Sequence, residues 1–184
     1  REGYEVVYGD TDSVFVTFPK CGTGDAALAE VDRLAEVLGQ EFTATLRKPQ
    51  NLEYEKTYFP FLLIAQKRYV GMLYEPGLQK EPKLKSMGLE TRRRDNPPIV
   101  RRTMNAFLEE LMGKRNLDKA VTDVQGILED VANHAIEFEE YIVSKTLRAN
   151  YRSVPMHKHL ANIMAERDHG NAPQPGDRVE FLIV

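Results

Sequence analysis

The sequence predicts an α+β fold, in which an antiparallel sheet with one packed helix precedes a mostly helical second half. Two apolar runs, at 4–7 and 14–18, flank a polar turn and predict a hairpin. Aromatic and β-branched residues between 52 and 75 predict two further strands with a bend at 66–68. After Asp95 the apolar residues recur at helical spacing. The sheet is therefore expected in the first half and most helices in the second.

One helix is predicted within the first half. Asp25, at the end of a glycine-containing loop, is a typical N-cap residue, and Pro49 ends a helix that runs to about Lys48. The apolar residues of this helix share one stripe: Leu28, Val31, Leu34, Leu38 and Phe42. A single stripe predicts that the helix packs on the sheet. The stretch 75–85 contains two prolines and a glycine and predicts a loop.

Three helices and a strand are predicted in the second half. Asn96 followed by two prolines starts a helix that closes near Gly113. A second helix is expected at about 118–134, and a third opens at Pro155. An extended piece is expected near 141–143, and a short strand is expected at 178–184 after a turn at Gly176 and Asp177.

The composition is that of a globular protein. The 184 residues are 42 % hydrophobic, and no apolar run approaches the roughly 20 residues that span a bilayer. No signal peptide is recognisable, and the single Cys21 suits a reducing compartment. The chain begins at Arg1 and enters a strand almost at once, which predicts a segment of a longer protein.

Charge is unevenly distributed along the chain. The net charge of −3 by itself argues weakly against a nucleic-acid partner. Five arginines, however, stand between positions 92 and 102 against one acid, Asp95, while many carboxylates fall at 25–47 and 105–140. Because a phosphate backbone responds to the local patch, an acidic protein with segregated charge can bind nucleic acid.

Asp10 and Asp12 stand at the tip of the predicted hairpin. Residues two apart on an extended chain share a face, so both carboxylates are expected to point the same way. Like charges this close repel unless a cation lies between them. Val14, Phe15 and Val16 are consecutive apolar residues, so their strand is expected to be covered on both faces. Mg²⁺, which prefers oxygen ligands, suits such a site; the alternative is a surface turn whose aspartates bind their own backbone.

Four motif-bearing segments lie in order along the chain, at 8–13, 66–71, 88–95 and 144–179. Together they resemble family B DNA polymerases, in particular their delta-like cellular and large-DNA-virus branch. Tyr-Gly-Asp-Thr-Asp-Ser at 8–13 resembles motif C. Residues 66–71 resemble the basic Lys-Lys-Arg-Tyr segment, and residues 88–95 resemble the Gly-Ile-Glu-Thr-x-Arg-Arg-Asp segment. The family's thumb pattern is matched at Ser144, Lys145, Leu147, Tyr151, Pro155, His157, Ala161, Arg167, Ala172, Pro173, Gly176, Asp177, Arg178 and Val179.

The resemblance implies that residues 1–95 are the C-terminal part of a polymerase palm and residues 96–184 the thumb. It implies a DNA-directed DNA polymerase that adds deoxynucleotides to a primer 3′ end with two Mg²⁺ ions. Asp12 would be a direct metal ligand and Asp10 a neighbour in the same acidic site, so both are candidate catalytic residues. Motif A and the fingers helix, which complete the family's site, are not in this chain, so the segment alone is expected to be inactive.

DNA contacts are also implied by the resemblance. The candidate DNA-binding residues are Lys67, Arg68, Tyr69, Arg93, Arg94, Lys145 and Arg148. The first three would lie near the growing primer end and hold phosphates and sugars without reading sequence. A solvated turn is the alternative for the Lys-Arg pair, and an ion pair with Glu90 is the alternative for any one of the arginines at 92–94. Tyr151 and His157 are as consistent with packing and capping as with DNA contact.

The implied partners are primer–template DNA, deoxynucleoside triphosphates and the remaining polymerase chain with motif A and the fingers. An exonuclease domain and a sliding clamp are further candidate partners. No membrane partner is expected. The resemblance implies an intracellular protein that is not secreted, in the nucleus if cellular and at a viral replication site if viral.

Two other functions account for part of the sequence. A metal-dependent glycosyltransferase would use an Asp-x-Asp motif to bind a nucleotide-sugar diphosphate, but this leaves the basic segments near 67 and 92 unexplained. A non-catalytic DNA-binding remnant of a polymerase would explain the basic segments. It would have no reason to keep the two repelling carboxylates Asp10 and Asp12.

Overall fold

The structure is a computed structural model that describes residues 3–75, 81–91 and 93–183. It combines helices with antiparallel sheets, which confirms the predicted α+β class. The chain divides into two compact units, Arg1–Gly88 and Leu89–Val184. This division precedes the boundary predicted at residue 95, and the palm and thumb assignments stay predictions. Within the described ranges, no helix is both long and apolar enough to cross a membrane.

The first unit contains two antiparallel sheets. Strands β1 (Glu5–Asp10) and β2 (Ser13–Thr17) form the predicted hairpin. Strands β3 (Thr57–Ala65) and β4 (Arg68–Tyr74) form a second hairpin that turns at 66–67, as the polar bend predicts. A third strand, β5 (Lys83–Met87), pairs with β4 and completes the order β3-β4-β5.

Strand β5 corrects the prediction of a loop over 75–85. Part of that stretch, 76–80, lies outside the described residues. Residues 83–87 are extended, and the side chains of Leu84 and Ser86 are less exposed than the lysines beside them. The alternation of exposed and less exposed residues in this strand is short and directly follows Pro82. The turn-forming residues beside it therefore favoured the prediction of a loop. Pairing with the buried strand β4 supplies the backbone hydrogen bonds that a lone segment lacks.

Helix α1 (Asp25–Thr43) packs along the segment that leads into β3. It begins with Gly24 as N-cap and ends before the predicted Lys48. The hydroxyl of Thr43 accepts from the Leu52 amide at 2.8 Å and donates to the Leu52 carbonyl at 3.1 Å. The Thr43 side chain thereby satisfies both backbone groups of Leu52. Residues 44–50 fold into successive turns and do not extend the helix.

Helices dominate the second unit, in the order predicted. Helix α2 (Pro98–Leu108) starts after Pro97 and continues as a π-helical turn, Glu109–Gly113. Helix α3 spans Leu117–Ala132, and α4 spans Met156–Arg167. Between and after them lie β6 (Val143–Thr146) and β7 (Arg178–Phe181), which pair antiparallel.

Each unit has its own small core. Val70 and Leu73 of β4 are buried in the first unit. Leu147, Ala161 and Val179 form a buried cluster in the second unit, against which Tyr151 and Leu160 pack. This cluster joins the end of β6, α4 and β7, so it fixes the segments that line the groove described below.

Candidate metal centre and nucleic-acid interface

The acidic hairpin ends in a two-residue turn, Thr11 and Asp12, closed by pairing of Asp10 with Ser13. Thr11 has φ of 56°, in the left-handed region. The chain is therefore not extended across Thr11, and the strand-period argument that put both carboxylates on one face does not apply. Thr11 Oγ1 donates to Asp10 Oδ1 at 3.0 Å, and Ser13 Oγ donates to the Asp10 carbonyl at 3.1 Å. Local hydrogen bonds thus hold the Asp10 side of the turn.

The hairpin is not covered on both faces, which corrects the prediction from its apolar sequence. Val6 is 58 % exposed, Val14 is 50 % exposed and Val7 is 46 % exposed. Val14 and Phe15 are neighbours on β2 and point to opposite faces, so the exposed Val14 marks the uncovered face and Phe15 the packed one. The apolar run in β2 therefore reflects one packed face and one bare face.

An aromatic cluster, formed by the rings of Tyr8, Phe15, Tyr58, Phe61 and Tyr69, covers the packed face of the hairpin. Phe15 of β2 stacks on Phe61 of β3 with ring centroids 5.2 Å apart and meets Tyr69 of β4 edge-on at the same distance. Tyr8 packs on Phe15 at 5.4 Å. Aromatic pairs at these separations are favourable beyond their burial. The aromatic cluster attaches the acidic hairpin to the β3-β4-β5 sheet and half-buries Tyr69, a predicted DNA contact.

Lys67 and Asp10 form an ion pair at the hairpin tip. Lys67 Nζ lies 2.8 Å from Asp10 Oδ1, and the Lys67 side chain is 57 % exposed while that of Asp10 is 15 % exposed. The hydrogen bond from Lys67 lowers the pKa of Asp10 below its usual value, and the same bond raises the pKa of Lys67. The structure therefore brings together two residues that the sequence assigned to separate tasks, the acidic site and the DNA contact.

The carboxylates offer an incomplete set of metal donors. Their oxygens have the chemistry that Mg²⁺ prefers. Among the residues that the structure describes, no group of three or more acidic, histidine or cysteine side chains is placed to hold a metal ion. Lys67 already neutralises Asp10, whereas Asp12 makes no ion pair within the described part of the chain. A metal-ligand role of Asp12 stays a prediction, and it requires oxygen donors beyond the described side chains.

Arg93 and Asp95 form a bidentate ion pair in the second unit. Arg93 Nε and Nη2 lie 3.2 and 3.1 Å from the two carboxylate oxygens of Asp95. These hydrogen bonds lower the pKa of Asp95. Glu90, the partner predicted for an arginine of this cluster, does not provide this pair, and Arg92 lies outside the described residues. One predicted DNA-binding arginine is thus engaged within the protein.

A basic groove of about 830 Å³ lies within the second unit. Its lining residues are Arg94, Asp95, Lys145, Thr146, Arg148, Asn150, Tyr151, Arg152, Ser153, Pro155, His157 and Arg178. Three of them, Arg94, Lys145 and Arg148, are predicted DNA contacts that the fold brings to one surface. Of the described lining residues, Asp95 is the one acid, and Arg93 already neutralises it. The basic groove therefore has the charge that attracts a polyanion.

Arg152 and Arg178 were not among the predicted site residues. Arg152 is exposed in the loop before α4. Arg178 donates from Nε to Ser144 Oγ at 2.9 Å and from Nη1 to Thr146 Oγ1 at 3.0 Å, so it clamps β7 to β6. The sequence placed Arg178 within the thumb pattern, but the first residue of a short predicted strand carries no signal of a groove position.

Tyr151 and His157 shape one wall of the basic groove. The Tyr151 hydroxyl accepts from the Arg148 amide at 2.7 Å and lies 3.0 Å from His157 Nε2. The His157 ring stacks parallel to Phe181 with centroids 6.4 Å apart. Burial lowers the pKa of His157, and the charges of Lys145 and Arg148 lower it further. Both side chains therefore pack within the second unit, and their contact with DNA stays a prediction.

Comparison with known proteins identifies the family. The model of DNA polymerase family B matches residues 2–184. The chain is 38 % identical to the DNA polymerase of Pyramimonas orientalis virus over 99 % of its length, and 36 % identical to the DNA polymerase of Acanthamoeba polyphaga mimivirus over 98 %. It is also 36 % identical to the DNA polymerase delta catalytic subunit of Bos taurus over 98 %.

The chain covers 16 %, 11 % and 16 % of the length of these three relatives, respectively. It corresponds to a small part of each polymerase. The similarity nevertheless runs through both structural units, because the family match spans almost every residue. The chain belongs to DNA polymerase family B.

Proposed function

We propose that this chain is the part of a DNA-directed DNA polymerase that carries the motif C carboxylates and holds the primer–template. In this proposal residues 1–95 form the C-terminal part of the palm and residues 96–184 form the thumb. The ion pair between Lys67 and Asp10 is the observation that carries it, because it joins the basic turn to the acidic hairpin in one site. A primer end that is to react needs a DNA-binding cation and a catalytic carboxylate at the same place.

Asp12 and Asp10 would hold the catalytic metal, with Asp12 as the direct ligand. When bound, two Mg²⁺ ions would activate the primer 3′-hydroxyl and neutralise the triphosphate and its leaving group. The hairpin would hold the carboxylates of Asp10 and Asp12 in a fixed position, because the aromatic cluster anchors β2 to the neighbouring sheet. Phosphoryl transfer depends mainly on such positioning and charge stabilisation.

Lys67 remains a cation at neutral pH, since its bond to Asp10 raises its pKa. More than half of its side chain is exposed, so the ammonium can reach a primer phosphate or sugar beside the acidic hairpin. An ammonium donates up to three hydrogen bonds, and Asp10 uses one of them. Lys67 would therefore bind DNA while keeping the charge of Asp10 compensated.

The basic groove would hold the backbone of the duplex. Lys145, Arg148, Arg94 and Arg152 supply cations around one concave surface, whose one acid among the described residues is already paired. Contacts to phosphates position a duplex without reading its sequence, as a replicative enzyme requires. Arg93, which is held by Asp95, would act chiefly by compensating the negative charge of that carboxylate.

The parent polymerase would supply the missing parts of the reaction. Motif A would add a further carboxylate, and the fingers would bind the incoming deoxynucleoside triphosphate. An exonuclease domain and a sliding clamp stay candidate partners, and replication in the nucleus or at a viral replication site is the proposed setting. Membership of DNA polymerase family B gives no support to the glycosyltransferase alternative.

The test uses Asp12→Asn in the full-length polymerase that contains this segment. The variant keeps the shape of the side chain but removes its charge. We expect primer extension to fall to background while primer–template affinity is unchanged. Asp123→Asn is a matched control, because Asp123 pairs with Lys119 on the surface of α3, and it should leave both measurements unchanged.

Undiminished extension by Asp12→Asn would contradict the assignment and would favour a non-catalytic DNA-binding segment. The isolated chain offers a second measurement. It should bind primer–template without extending it, because it lacks the donors that complete the metal site. Robust extension by the isolated chain would show that the site is complete within residues 1–184.

A further inference from the structure

Lys67 has an unusual backbone conformation at the turn between β3 and β4. Its φ is 58°, in the left-handed region that non-glycine residues seldom adopt. Such a residue persists only where its surroundings enforce the conformation. Two residues from other strands, Tyr8 and Gly88, contact the Lys67 backbone and meet this requirement.

Gly88 follows β5 and lies against the Lys67 carbonyl. A Cβ at position 88 would be 2.1 Å from the Lys67 oxygen and 3.1 Å from Cγ of Arg68. Gly88 also has φ of 65°, which a residue with a side chain adopts at a cost. Any side chain here would have to displace the backbone of the β3-β4 turn. The close approach therefore depends on glycine for both steric and conformational reasons.

Tyr8 holds the same turn from the acidic hairpin. Its hydroxyl accepts the Lys67 amide hydrogen at 2.8 Å. The Tyr8 ring packs on Phe15 at 5.4 Å and on Tyr69 at 6.3 Å, so the hydroxyl is fixed by the aromatic cluster. The Lys67 amide therefore lies at a defined distance from β1, the strand that ends in Asp10.

We propose that Gly88 and Tyr8 are positioning residues that seat the Lys67 backbone so that its ammonium lies on Asp10. The inference rests on the proposed role of Lys67 at the primer end. An exposed lysine side chain has many rotamers, so a fixed backbone is what limits the ammonium to one carboxylate. Neither positioning residue is assigned a contact with DNA or metal. Gly88 acts through Lys67, whereas Tyr8 acts through Lys67 and also helps to lower the pKa of Asp10 by a side-chain hydrogen bond.

The experiment is a set of double-mutant cycles in the full-length polymerase. Lys67→Met removes the ammonium, and the rate of primer extension should fall about tenfold or more, as expected for loss of a charge-assisted hydrogen bond. Gly88→Ala and Tyr8→Phe should each lower the rate several-fold. In the Lys67→Met background the effect of Gly88→Ala should almost vanish and that of Tyr8→Phe should become smaller, because the ammonium that both residues position is gone while Tyr8 keeps its interaction with Asp10. A purely structural role would instead give additive losses.

Two further variants separate the causes. Asparagine tolerates the left-handed region, so Gly88→Asn relieves the conformational strain but keeps the Cβ clash and should be as defective as Gly88→Ala. Gly39→Ala is the matched control, because its Cβ would crowd the Leu52 carbonyl at 2.9 Å in the same unit, away from the aromatic cluster. Its effect on extension should be the same with or without Lys67.

The outcomes distinguish this inference from the proposed function. Full activity of Lys67→Met would overturn the proposed role of Lys67 and, with it, the need to position that residue. A defective Lys67→Met combined with additive effects of Gly88→Ala and Tyr8→Phe would overturn the positioning inference alone. If the Gly88 variants fail to fold, the cycle of Tyr8→Phe with Lys67→Met decides between the same two results.

Discussion

The guanidinium of Arg178 donates a hydrogen bond from Nη2 to the backbone oxygen of Arg94, 84 residues earlier in the chain, at 3.0 Å. The same side chain also donates to Ser144 and Thr146 on β6. Its acceptors are therefore neutral oxygens on two different segments. Arg178 fixes the basic groove by tying the end of the arginine-rich stretch to the β6-β7 pair.

We expect Arg178→Lys to lower both stability and DNA affinity although it keeps the charge. Lysine cannot reproduce the planar fork of donors, so several of these hydrogen bonds are lost. Loss of a few net hydrogen bonds predicts a decrease of about 1–3 kcal/mol in the free energy of unfolding, which urea titration measures. Arg152→Lys is the control, because Arg152 makes no hydrogen bond within the described part of the chain. Equal behaviour of the two variants would contradict the clamp.

Removing one groove cation should weaken DNA binding equally for every sequence. For Lys145→Gln or Arg148→Gln, the slope of log affinity against log salt should decrease by about 0.9, the value for one phosphate contact on B-form DNA. Fluorescence anisotropy with two unrelated primer–templates over a potassium chloride series measures both effects. Arg33→Gln should change neither, because Arg33 pairs with Glu30 on α1, outside the groove. An unchanged slope would show that the altered residue does not contact phosphate.

The His157 ring predicts a pH dependence of stability. Burial is the main cause that lowers the pKa of His157 in the folded protein, and the charges of Lys145 and Arg148 lower it further. At a pH between this folded pKa and the unfolded value of about 6.5, the unfolded chain therefore binds more protons than the folded protein. Stability is therefore fully present above about pH 6.5 and is lost as the pH falls below it. Besides these two cations, Tyr151 faces the ring through its hydroxyl and Phe181 stacks on it.

Thermal unfolding between pH 5 and 7.5 checks this prediction. His157→Gln should flatten the profile in this window, while His159→Gln, an exposed position on the same helix, should retain it. Acidic residues such as Asp95, whose pKa is lowered by Arg93, titrate further below and leave this window unchanged. An identical profile for His157→Gln would assign the dependence to other groups.

Most elements of the fold could be predicted because their signals are local. The proline pair at Pro97 and Pro98 set the start of α2, and the alternation around Tyr69 set β4. Strand β5 could not be predicted because it is extended only through pairing with β4, and the local sequence gives no information about that pairing. The end of α1 was misplaced because Thr43 bonds to Leu52, a contact outside the helix.

The candidate site was predictable in part for the same reason. Asp10 and Asp12 stand in one short motif, so the acidic turn could be located from the sequence. The bond between Lys67 and Asp10 spans 57 positions and depends on how two hairpins pack, which the sequence pattern leaves open. Likewise, Arg178 enters the basic groove only because β7 pairs with β6. Residue roles at DNA and metal stay predictions that the experiments above address.

The aromatic cluster also sets the order in which the acidic turn can become rigid during synthesis. An isolated two-stranded hairpin is marginally stable in water, and the rings that hold Phe15 belong to β3 and β4. The ribosome makes β1 and β2 first, but their packing partners emerge only after α1 has been completed. Contacts between such distant segments form late because loop closure must precede them. The acidic hairpin is therefore translated before its packing partners and becomes complete only when Tyr69 docks against it.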